Sequence, residues 1–388
     1  MHTSSFAPIT YLLSSITVFH VCLHESSYQV RLLLLPFFLF FAVLSFIESD
    51  KFQSPTLTSL WAQSVALNIV HVISVILIEK CPAPQEHDGW SLSYSSAFLT
   101  TWRFWSNPQL LPEARKVVSN NKELTPEPRS VFIFLRLAKL SLYYYLQTRL
   151  LPALFSEILP EIVPSDVAQT ALLSRIGDVS TREVIIRSYM SLSWIWESIM
   201  IYDGANAVLS SFTVICGIDS PADWPSLFGG LDSIRGMRSF WGTFWHRLAS
   251  RPYKNCGRVV ASGVSSLLGP ATGSSGAPHW MEGMTVAFVV FLFSGLAHNA
   301  VSWRLGARDW LDLRWFLLNY VACLVETWAL SALRRLTRRL GLARELSAIE
   351  RSWLGRLVGF AWVFAFFFWS VPQWNYSRIH RALLAARH

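Results

Sequence analysis

The run FLFSGLAHNAVSW, from Phe291 to Trp303, places a titratable imidazole inside an apolar segment. On a helix, Ser294 and His298 would share a face because they are four residues apart. A histidine within a membrane span is costly to bury and therefore indicates a function by default. In its neutral form His298 can act as a general base on a hydroxyl group, and Asn299 beside it can bind a polar substrate group. Two structural alternatives stay open: an interhelical hydrogen bond for His298, and close helix packing for Ser294.

A second pattern precedes this run, in SIRGMRSFWGTFWHRLASRPY from Ser233 to Tyr253. It interleaves basic side chains with rings, namely Arg235, Arg238, Arg247 and Arg251 with Phe240, Trp241, Phe244, Trp245 and His246. At helical spacing Trp241, Phe244, Trp245 and Leu248 share one face. We therefore expect a basic amphipathic helix in the membrane interface. Arginine also pairs with phosphate, and rings stack on nucleobases, which suits a phosphorylated, adenine-containing ligand. An interfacial anchor without ligand contacts is the alternative.

Two carboxylates fall at membrane depth. Glu326 lies in the middle of an apolar run, where it needs a partner within the protein. Structural pairing is favoured over catalysis for Glu326, and contact with a substrate is the functional hypothesis. Asp203 can lie at a break in a helix, facing a polar chamber.

The composition indicates an integral membrane protein. Of the 388 residues, 52% are hydrophobic and 15% are charged, whereas soluble domains carry about 25% charged residues. The chain contains 18 Trp, a residue that is enriched at membrane interfaces. The net charge of +8 is better explained by Arg and Lys in cytosolic loops than by nucleic acid binding.

Eight apolar runs are long enough to cross a bilayer, which takes about 20 residues. They are Phe6–Leu23, Val30–Ile47, Leu60–Ile78, Val131–Phe155, Val184–Cys216, Trp280–Trp303, Trp315–Leu333 and Leu357–Val371. The fifth is long enough for a tilted or broken helix. We predict an all-α polytopic fold of about eight transmembrane helices around an intramembrane reaction chamber, with the interfacial helix between the fifth and sixth spans. We expect one domain over residues 1–388, with five spans in 1–230 and the basic loop and His298 in 231–388.

Charge in the loops predicts the orientation. The loops after the third, fifth and seventh runs are rich in Lys and Arg, whereas the loop after the fourth is mainly acidic. The positive-inside rule therefore places the three basic loops in the cytosol. Because residues 1–8 contain no Lys or Arg, we expect the first run to be a retained span rather than a cleaved signal.

Several chemistries lack their motifs. The five Cys are scattered without a CxxC pair, which favours neither a zinc site nor a disulfide framework. No phosphate-binding GxxxxGK[ST] loop and no HExxH occur. We expect no metal in the site.

The FW–WH segment, SFWGTFWHR from Ser239 to Arg247, resembles the FW-x-x-x-WH signature of the wax-synthase-like branch of the membrane-bound O-acyltransferases. FSGLAH, from Phe293 to His298, resembles the SG-x-x-H span of that family, and FLLNYVACLVE, from Phe316 to Glu326, resembles its segment ending in an intramembrane Glu. The resemblance covers roughly the last 40% of the chain. Members include plant wax-ester synthases and fungal acetyltransferases of terpenoid and meroterpenoid alcohols. Many relatives carry an acidic residue where this chain has Ser239.

The resemblance implies a reaction and roles for the residues. It implies an acyl-CoA co-substrate, in the first place acetyl-CoA, a lipophilic alcohol as acceptor, no permanently bound cofactor, and the endoplasmic reticulum membrane. His298 would be the base and His246 would orient the donor or shape the pocket. The donor would contact Phe240, Trp241, Trp245, Arg238 and Arg247, and the acceptor Ser294, Asn299 and Glu326.

Two other functions stay open. A wax-ester synthase would use a fatty acyl-CoA and a long-chain alcohol. A proton-coupled transporter could use His298, Glu326 and Asp203 as a proton relay, although no inverted repeat is evident. A membrane scaffold without chemistry has no reason to bury His298.

Overall fold

The computed structural model describes residues 6–81, 94–107, 127–155, 172–272 and 279–385. These residues form helices and their connections, and no β-strand occurs among them. Seven of the described helices are long and apolar enough to cross a membrane. The prediction of an all-α polytopic membrane protein is therefore confirmed.

The described α-helices of eight or more residues are numbered here in chain order. They are α1 Ala7–His24, α2 Tyr28–Ile47, α3 Pro55–Ile73, α4 Tyr94–Ser106, α5 Arg129–Tyr145, α6 Thr181–Ile215, α7 Ser250–Thr272, α8 His279–Arg304, α9 Leu311–Arg339, α10 Ala343–Arg351 and α11 Trp353–Ala385.

Large apolar side chains cover the outer faces of several helices. Leu33 and Phe37 on α2, Phe134 on α5 and Phe212 on α6 have 59–70% of their surface exposed. Such surfaces are unfavourable in water and match the hydrocarbon region of a bilayer. These helices therefore bury their polar groups inside the protein and present their apolar groups to lipid.

The fourth predicted run differs from the other seven. It forms α5, which continues through the π-helical turn Leu146–Leu150 as far as Phe155. It is not among the seven candidate spans of the described residues. Arg136, Lys139 and Arg149 lower its hydropathy, so composition and length support seven of the eight predicted spans.

The fold nevertheless neutralises one of these charges and gives a second a hydrogen-bond acceptor. Lys139 Nζ lies 2.7 Å from Oδ2 of Asp203, which also accepts a 2.8 Å hydrogen bond from the hydroxyl of Tyr143. Arg136 Nη2 donates to the Trp224 carbonyl at 3.0 Å. Of the two alternatives for the fifth run, the broken helix is excluded: α6 runs unbroken for 35 residues, and α5 side chains bind the buried Asp203 carboxylate. Since paired charges are far less costly at membrane depth than isolated ones, we expect α5 to cross the bilayer.

The chain groups into two compact units, each made of two stretches: residues 1–122 with 247–321, and residues 123–246 with 322–388. In the first unit, rings and aliphatic side chains such as Phe19, Leu23 and Phe38 form the core between α1, α2 and α3. In the second, α6 packs against α5 and α11. The expectation of a single domain stays a prediction.

Histidines of α1 and α3 bind α4 within the first unit. His20 Nδ1 lies 2.7 Å from the Thr101 hydroxyl, and His24 Nε2 lies 3.1 Å from the Ala97 carbonyl. His71 Nε2 donates to the Phe104 carbonyl at 2.7 Å. The short helix is thus held by polar contacts as well as by the rings it buries.

The predicted interfacial helix over Ser233–Tyr253 is wrong in extent and in environment. Helical structure within this range is interrupted: it covers Met237–Phe244, the backbone is extended at Trp245, and α7 begins only at Ser250. Phe240, Phe244 and Trp245 are 1%, 3% and 8% exposed, so their rings form part of the core of the second unit instead of facing lipid. The prediction assumed helical spacing from Trp241 to Leu248, but the helix ends at Phe244.

The sequence analysis missed α7, which follows this segment. Its Gly and Ser content made it resemble a loop, yet it forms 23 residues of helix. Gly257 permits close packing on α8, since a Cβ there would lie 3.0 Å from the Val286 Cα. A row of small residues therefore indicated helix packing, not a turn.

We predict that Lys139 and Asp203 are energetically coupled. Lys139→Met or Asp203→Leu alone leaves a charge without its partner and should lower stability, while the double variant recovers most of the loss, with a coupling energy of about 1–3 kcal/mol. Thermal unfolding of the detergent-purified protein measures this. Arg334→Met is the control, because its half-exposed pair with Glu350 contributes little. Additive losses in the double variant would contradict the coupling.

We also predict that α5 crosses the membrane. Epitopes with a protease site, inserted before Arg129 and after Asp178, should then lie on opposite sides of sealed microsomes. Externally added protease cuts one insertion and spares the other until detergent opens the vesicles. Cleavage of both insertions, or protection of both, would place α5 on one side of the bilayer.

Candidate active site

His298 lies on α8 in the first unit, with its imidazole half-buried. The ring stacks on Phe316 of α9, with ring centroids 4.9 Å apart and an interplanar angle of 25°. Gly295, one helical turn earlier, is the reason α9 can come so near. A Cβ at this position would lie 2.9 Å from Leu313 Cδ1 and 3.0 Å from Leu313 Cα. The spacing of Gly295 and His298 thus places the imidazole flat against the neighbouring helix.

Asn299 holds the connection between α8 and α9. Its Nδ2 donates to the Asp309 carbonyl at 3.0 Å, and its Oδ1 accepts from the Leu313 backbone N–H at 3.4 Å. The side chain is 1% exposed. Both ends of the amide are therefore used to fix the start of α9 relative to α8, and contact between Asn299 and a substrate stays a prediction.

Further contacts strengthen this connection. The Ser302 hydroxyl donates to Asp312 at 2.5 Å, and Trp303 Nε1 donates to the Asp309 carbonyl at 2.9 Å. Ser294 is half-buried one turn before His298, on the same face of α8. The histidine is thus placed on a rigid helix pair, not on a loop.

The second unit contains an aromatic cluster centred on Trp194 of α6. Five rings lie 4.8–6.4 Å from that of Trp194, and we call these residues with Trp194 the Trp194 cluster: Phe240, Trp241, Trp245, Phe367 and Trp374. Three of the five belong to the FW–WH segment. Sequence analysis did not assign Trp194, Phe367 or Trp374 to a site, because Trp194 and Phe367 lie in predicted spans and Trp374 follows the last of these spans.

His246 lies beside this cluster. Its ring is 5.4 Å from that of Trp245, 4.7 Å from Tyr202 and 5.7 Å from Phe228. The neighbouring Gly229 N–H donates to the Phe244 carbonyl at 2.8 Å, which holds the Phe228 loop against the end of the helical turn. Three rings thus contact the His246 imidazole, and its role toward an acyl donor stays a prediction.

The Glu326 carboxylate of α9 is hydrogen-bonded to the residues just before the FW–WH segment and to α11. Its carboxylate accepts hydrogen bonds from the backbone N–H groups of Met237 and Arg238 and from the indole of Trp362. The structural pairing favoured for this residue is what the geometry displays. Contact between Glu326 and a substrate stays a prediction.

Basic side chains cluster at the start of α7. Arg247, Lys254 and Arg258 are exposed, and burial, with the positive charges of Arg258 and Arg247, lowers the pKa of Lys254. A bound phosphate would relieve this repulsion. The sequence analysis counted Lys254 and Arg258 only as basic loop residues that indicate the cytosolic side, because their spacing gains meaning only once α7 is known to be a helix. Arg238 is also exposed, in the second unit.

The candidate residues are divided between the two units. Ser294, His298, Asn299 and Arg247 belong to the first, and the FW–WH rings, His246, Arg238 and Glu326 to the second. Within the described part of the chain, no group of three His, Cys, Asp or Glu side chains could hold a metal ion.

The similarity to known proteins falls in the part of the chain that contains these candidate residues. The model of the membrane bound O-acyl transferase family matches residues 224–318, which include the FW–WH segment and His298. No solved structure matches the chain.

Curated relatives are fungal proteins named as acetyltransferases. Acetyltransferase ataH of Aspergillus terreus is 31% identical over 171 residues, which are 44% of this chain and 51% of the relative. Acetyltransferase aurG of Calcarisporium arbuscula is 26% identical over 208 residues, 52% of this chain and 46% of the relative. Acetyltransferase spyB of Aspergillus fumigatus is 28% identical over 172 residues, 42% of this chain and 28% of the relative.

The aligned region thus spans about half or less of each of these relatives. The family model and the names of these relatives both indicate an acyltransferase. The resemblance of this chain to the membrane-bound O-acyltransferases, and to their fungal acetyltransferase members, is therefore confirmed.

Proposed function

We propose that this protein is an acyl-CoA-dependent O-acyltransferase that transfers acetyl from acetyl-CoA to a hydroxyl group of a lipophilic terpenoid or polyketide-like compound. One observation carries the proposal: His298 lies in the matched stretch and is held against Phe316 by the close approach at Gly295. A general base must be positioned before its basicity is useful, and here the position is set by two packed helices.

The reaction assigned to His298 is a single acyl transfer. The imidazole takes the proton of the acceptor hydroxyl while the oxygen attacks the thioester carbonyl. The tetrahedral intermediate then collapses, the carbon–sulfur bond breaks, and the imidazolium returns the proton to the leaving thiolate. The products are the ester and free CoA. Phe316 covers one face of the imidazole, and the proton transfer assigned to His298 uses a nitrogen at the ring edge.

The donor-side roles rest on chemistry that each unit offers separately. Exposed arginines such as Arg238 and Arg247 pair with phosphates, and Lys254 and Arg258 add positive charge next to Arg247. Trp241 and Trp374, the partly exposed rings of the Trp194 cluster, offer stacking surfaces for the adenine of the donor. His246 orients the donor.

The cellular setting follows from the loops and the acceptor. The basic loops lie in the cytosol, where acyl-CoA is made, and the protein lies in the endoplasmic reticulum membrane. The lipophilic alcohol reaches His298 from the bilayer. Relatives named as acetyltransferases favour acetyl over a fatty acyl group.

We predict that His298→Ala abolishes ester formation. Loss of a general base lowers turnover by about 10²–10⁴-fold. Microsomes containing the protein are incubated with labelled acetyl-CoA or palmitoyl-CoA and a panel of lipophilic alcohols, and labelled ester is quantified. His20→Ala is the matched control, since it removes a half-buried imidazole of the same unit that lies outside the proposed site.

Full activity of His298→Ala at normal protein level would remove His298 from the mechanism. Ester formed from palmitoyl-CoA alone would establish a wax-ester synthase. Proton-coupled solute uptake without any ester would establish a transporter.

We predict that Trp245→Ala and His246→Ala raise the apparent KM for acetyl-CoA. Each variant removes one ring from a set of contacts that hold the donor side, and one aromatic contact is worth about tenfold in affinity. Initial rates at varied acetyl-CoA measure the effect. Trp353→Ala is the control, because this indole of the same unit is 74% exposed. Unchanged kinetics in both variants would return the segment to a packing role.

A further inference from the structure

Glu326 carries a carboxylate that the proposed reaction does not need as a base. The Met237 backbone N–H donates to Oε2 at 2.6 Å, and the Arg238 backbone N–H donates to Oε1 at 3.3 Å. The Trp362 indole Nε1 donates to Oε2 at 2.9 Å. Three donors therefore converge on one carboxylate, two of them from the backbone that precedes Phe240.

These two backbone groups begin the helical turn Met237–Phe244. The first N–H groups of a helical segment lack partners within it, and a negative charge at that end is favourable. The usual solution is a Ser, Thr, Asp or Asn just before the turn. Gly236 occupies that place and has no side chain to offer. Glu326 supplies the missing acceptor from α9.

Gly236 is required by the same contact. Its φ is +152°, which disfavours any residue with a side chain, and a Cβ there would lie 2.5 Å from Glu326 Oε2. The preceding residue is equally confined, since a Cβ on Gly359 of α11 would lie 2.5 Å from the Arg235 carbonyl. Residues 235 and 236 are thus fitted closely between α9 and α11.

Hydrogen bonds within residues 235–245 connect the Glu326 contact to the FW–WH segment. The Arg235 N–H donates to the Ser239 hydroxyl at 2.6 Å, which in turn donates to the Gly236 carbonyl at 3.0 Å. The Phe240 N–H donates to the Gly236 carbonyl at 2.9 Å, and the Trp245 N–H to the Phe240 carbonyl at 2.8 Å. A continuous set of bonds leads from the Glu326 contact to the rings of the Trp194 cluster.

We infer that Glu326 is a positioning residue: its carboxylate fixes the start of the FW–WH segment and thereby orients Phe240, Trp241 and Trp245 toward the acyl donor. The orientation toward a donor rests on the proposed function. The attachment of the segment to Glu326 does not, and the two parts are measured separately.

Hydrogen exchange measures the attachment. In the full-length, detergent-purified protein, Glu326→Ala removes all three bonds and should speed exchange at Met237 and Arg238 about tenfold or more, because hydrogen bonds to a charged acceptor are the stronger kind. Gly236→Ala should act in the same direction by displacing the carboxylate. Glu326→Gln keeps one acceptor oxygen and should fall between. Glu345→Ala, which removes an exposed carboxylate from α10, is the control and leaves exchange unchanged.

Kinetics measure the consequence. Gly236→Ala should raise the KM for acetyl-CoA about tenfold while leaving the KM for the alcohol unchanged. Glu326→Ala should raise the KM for acetyl-CoA by a similar factor, and Glu326→Gln should recover part of the loss. A residue needed only for folding would lower the amount of active protein without separating the two constants. Equal exchange in Glu326→Ala and wild type would overturn the attachment. Faster exchange with an unchanged KM for acetyl-CoA would overturn the positioning role. A wild-type protein that forms no ester would overturn the proposed function, and exchange alone would then decide the attachment.

Discussion

A charged group inside the hydrocarbon region of a bilayer must find its hydrogen-bond partners within the protein, because lipid offers none. The described part of this chain follows that constraint repeatedly. Asp203 is bound by Lys139 and Tyr143, and Glu326 by backbone N–H groups and an indole. Each contact joins elements that are distant in sequence, so each pairing also sets how helices pack. Polar residues at membrane depth thus determine the helix arrangement on which any site must be built.

Close approach of helices is the second condition for the site, and small residues permit it. Gly295 lets α9 approach α8 until Phe316 lies flat on the imidazole of His298. Gly236 leaves room for the Glu326 carboxylate in the same way. In both places a candidate functional residue is accompanied by a glycine whose missing side chain makes the geometry possible. A motif such as SGLAH therefore encodes a packing distance as well as a histidine.

Much of the architecture could be predicted from hydropathy. Seven of the eight predicted runs coincide with helices that can cross a membrane, because span length is a local property of composition. The fourth was harder, since hydropathy counts Lys139 as isolated, whereas the fold pairs it with Asp203. The interfacial helix failed because periodicity cannot show where a helix ends, and at Trp245 the backbone is already extended. Trp194 was missed because nothing local distinguishes the centre of an aromatic cluster from any other Trp in an apolar run.

By itself, the sequence determined that this is a helical membrane protein. It also selected His298 and the FW–WH segment as candidates for chemistry, because they resemble the corresponding residues of an O-acyltransferase. These conclusions depend on residue types and on spacing along the chain. Only the tertiary structure decided what each polar group contacts. In the fold Asn299 bonds to the α8–α9 connection, Asp203 to α5, and Glu326 to the backbone just before the FW–WH segment. The physical reason is that a buried polar group is defined by partners that folding alone brings within hydrogen-bonding distance.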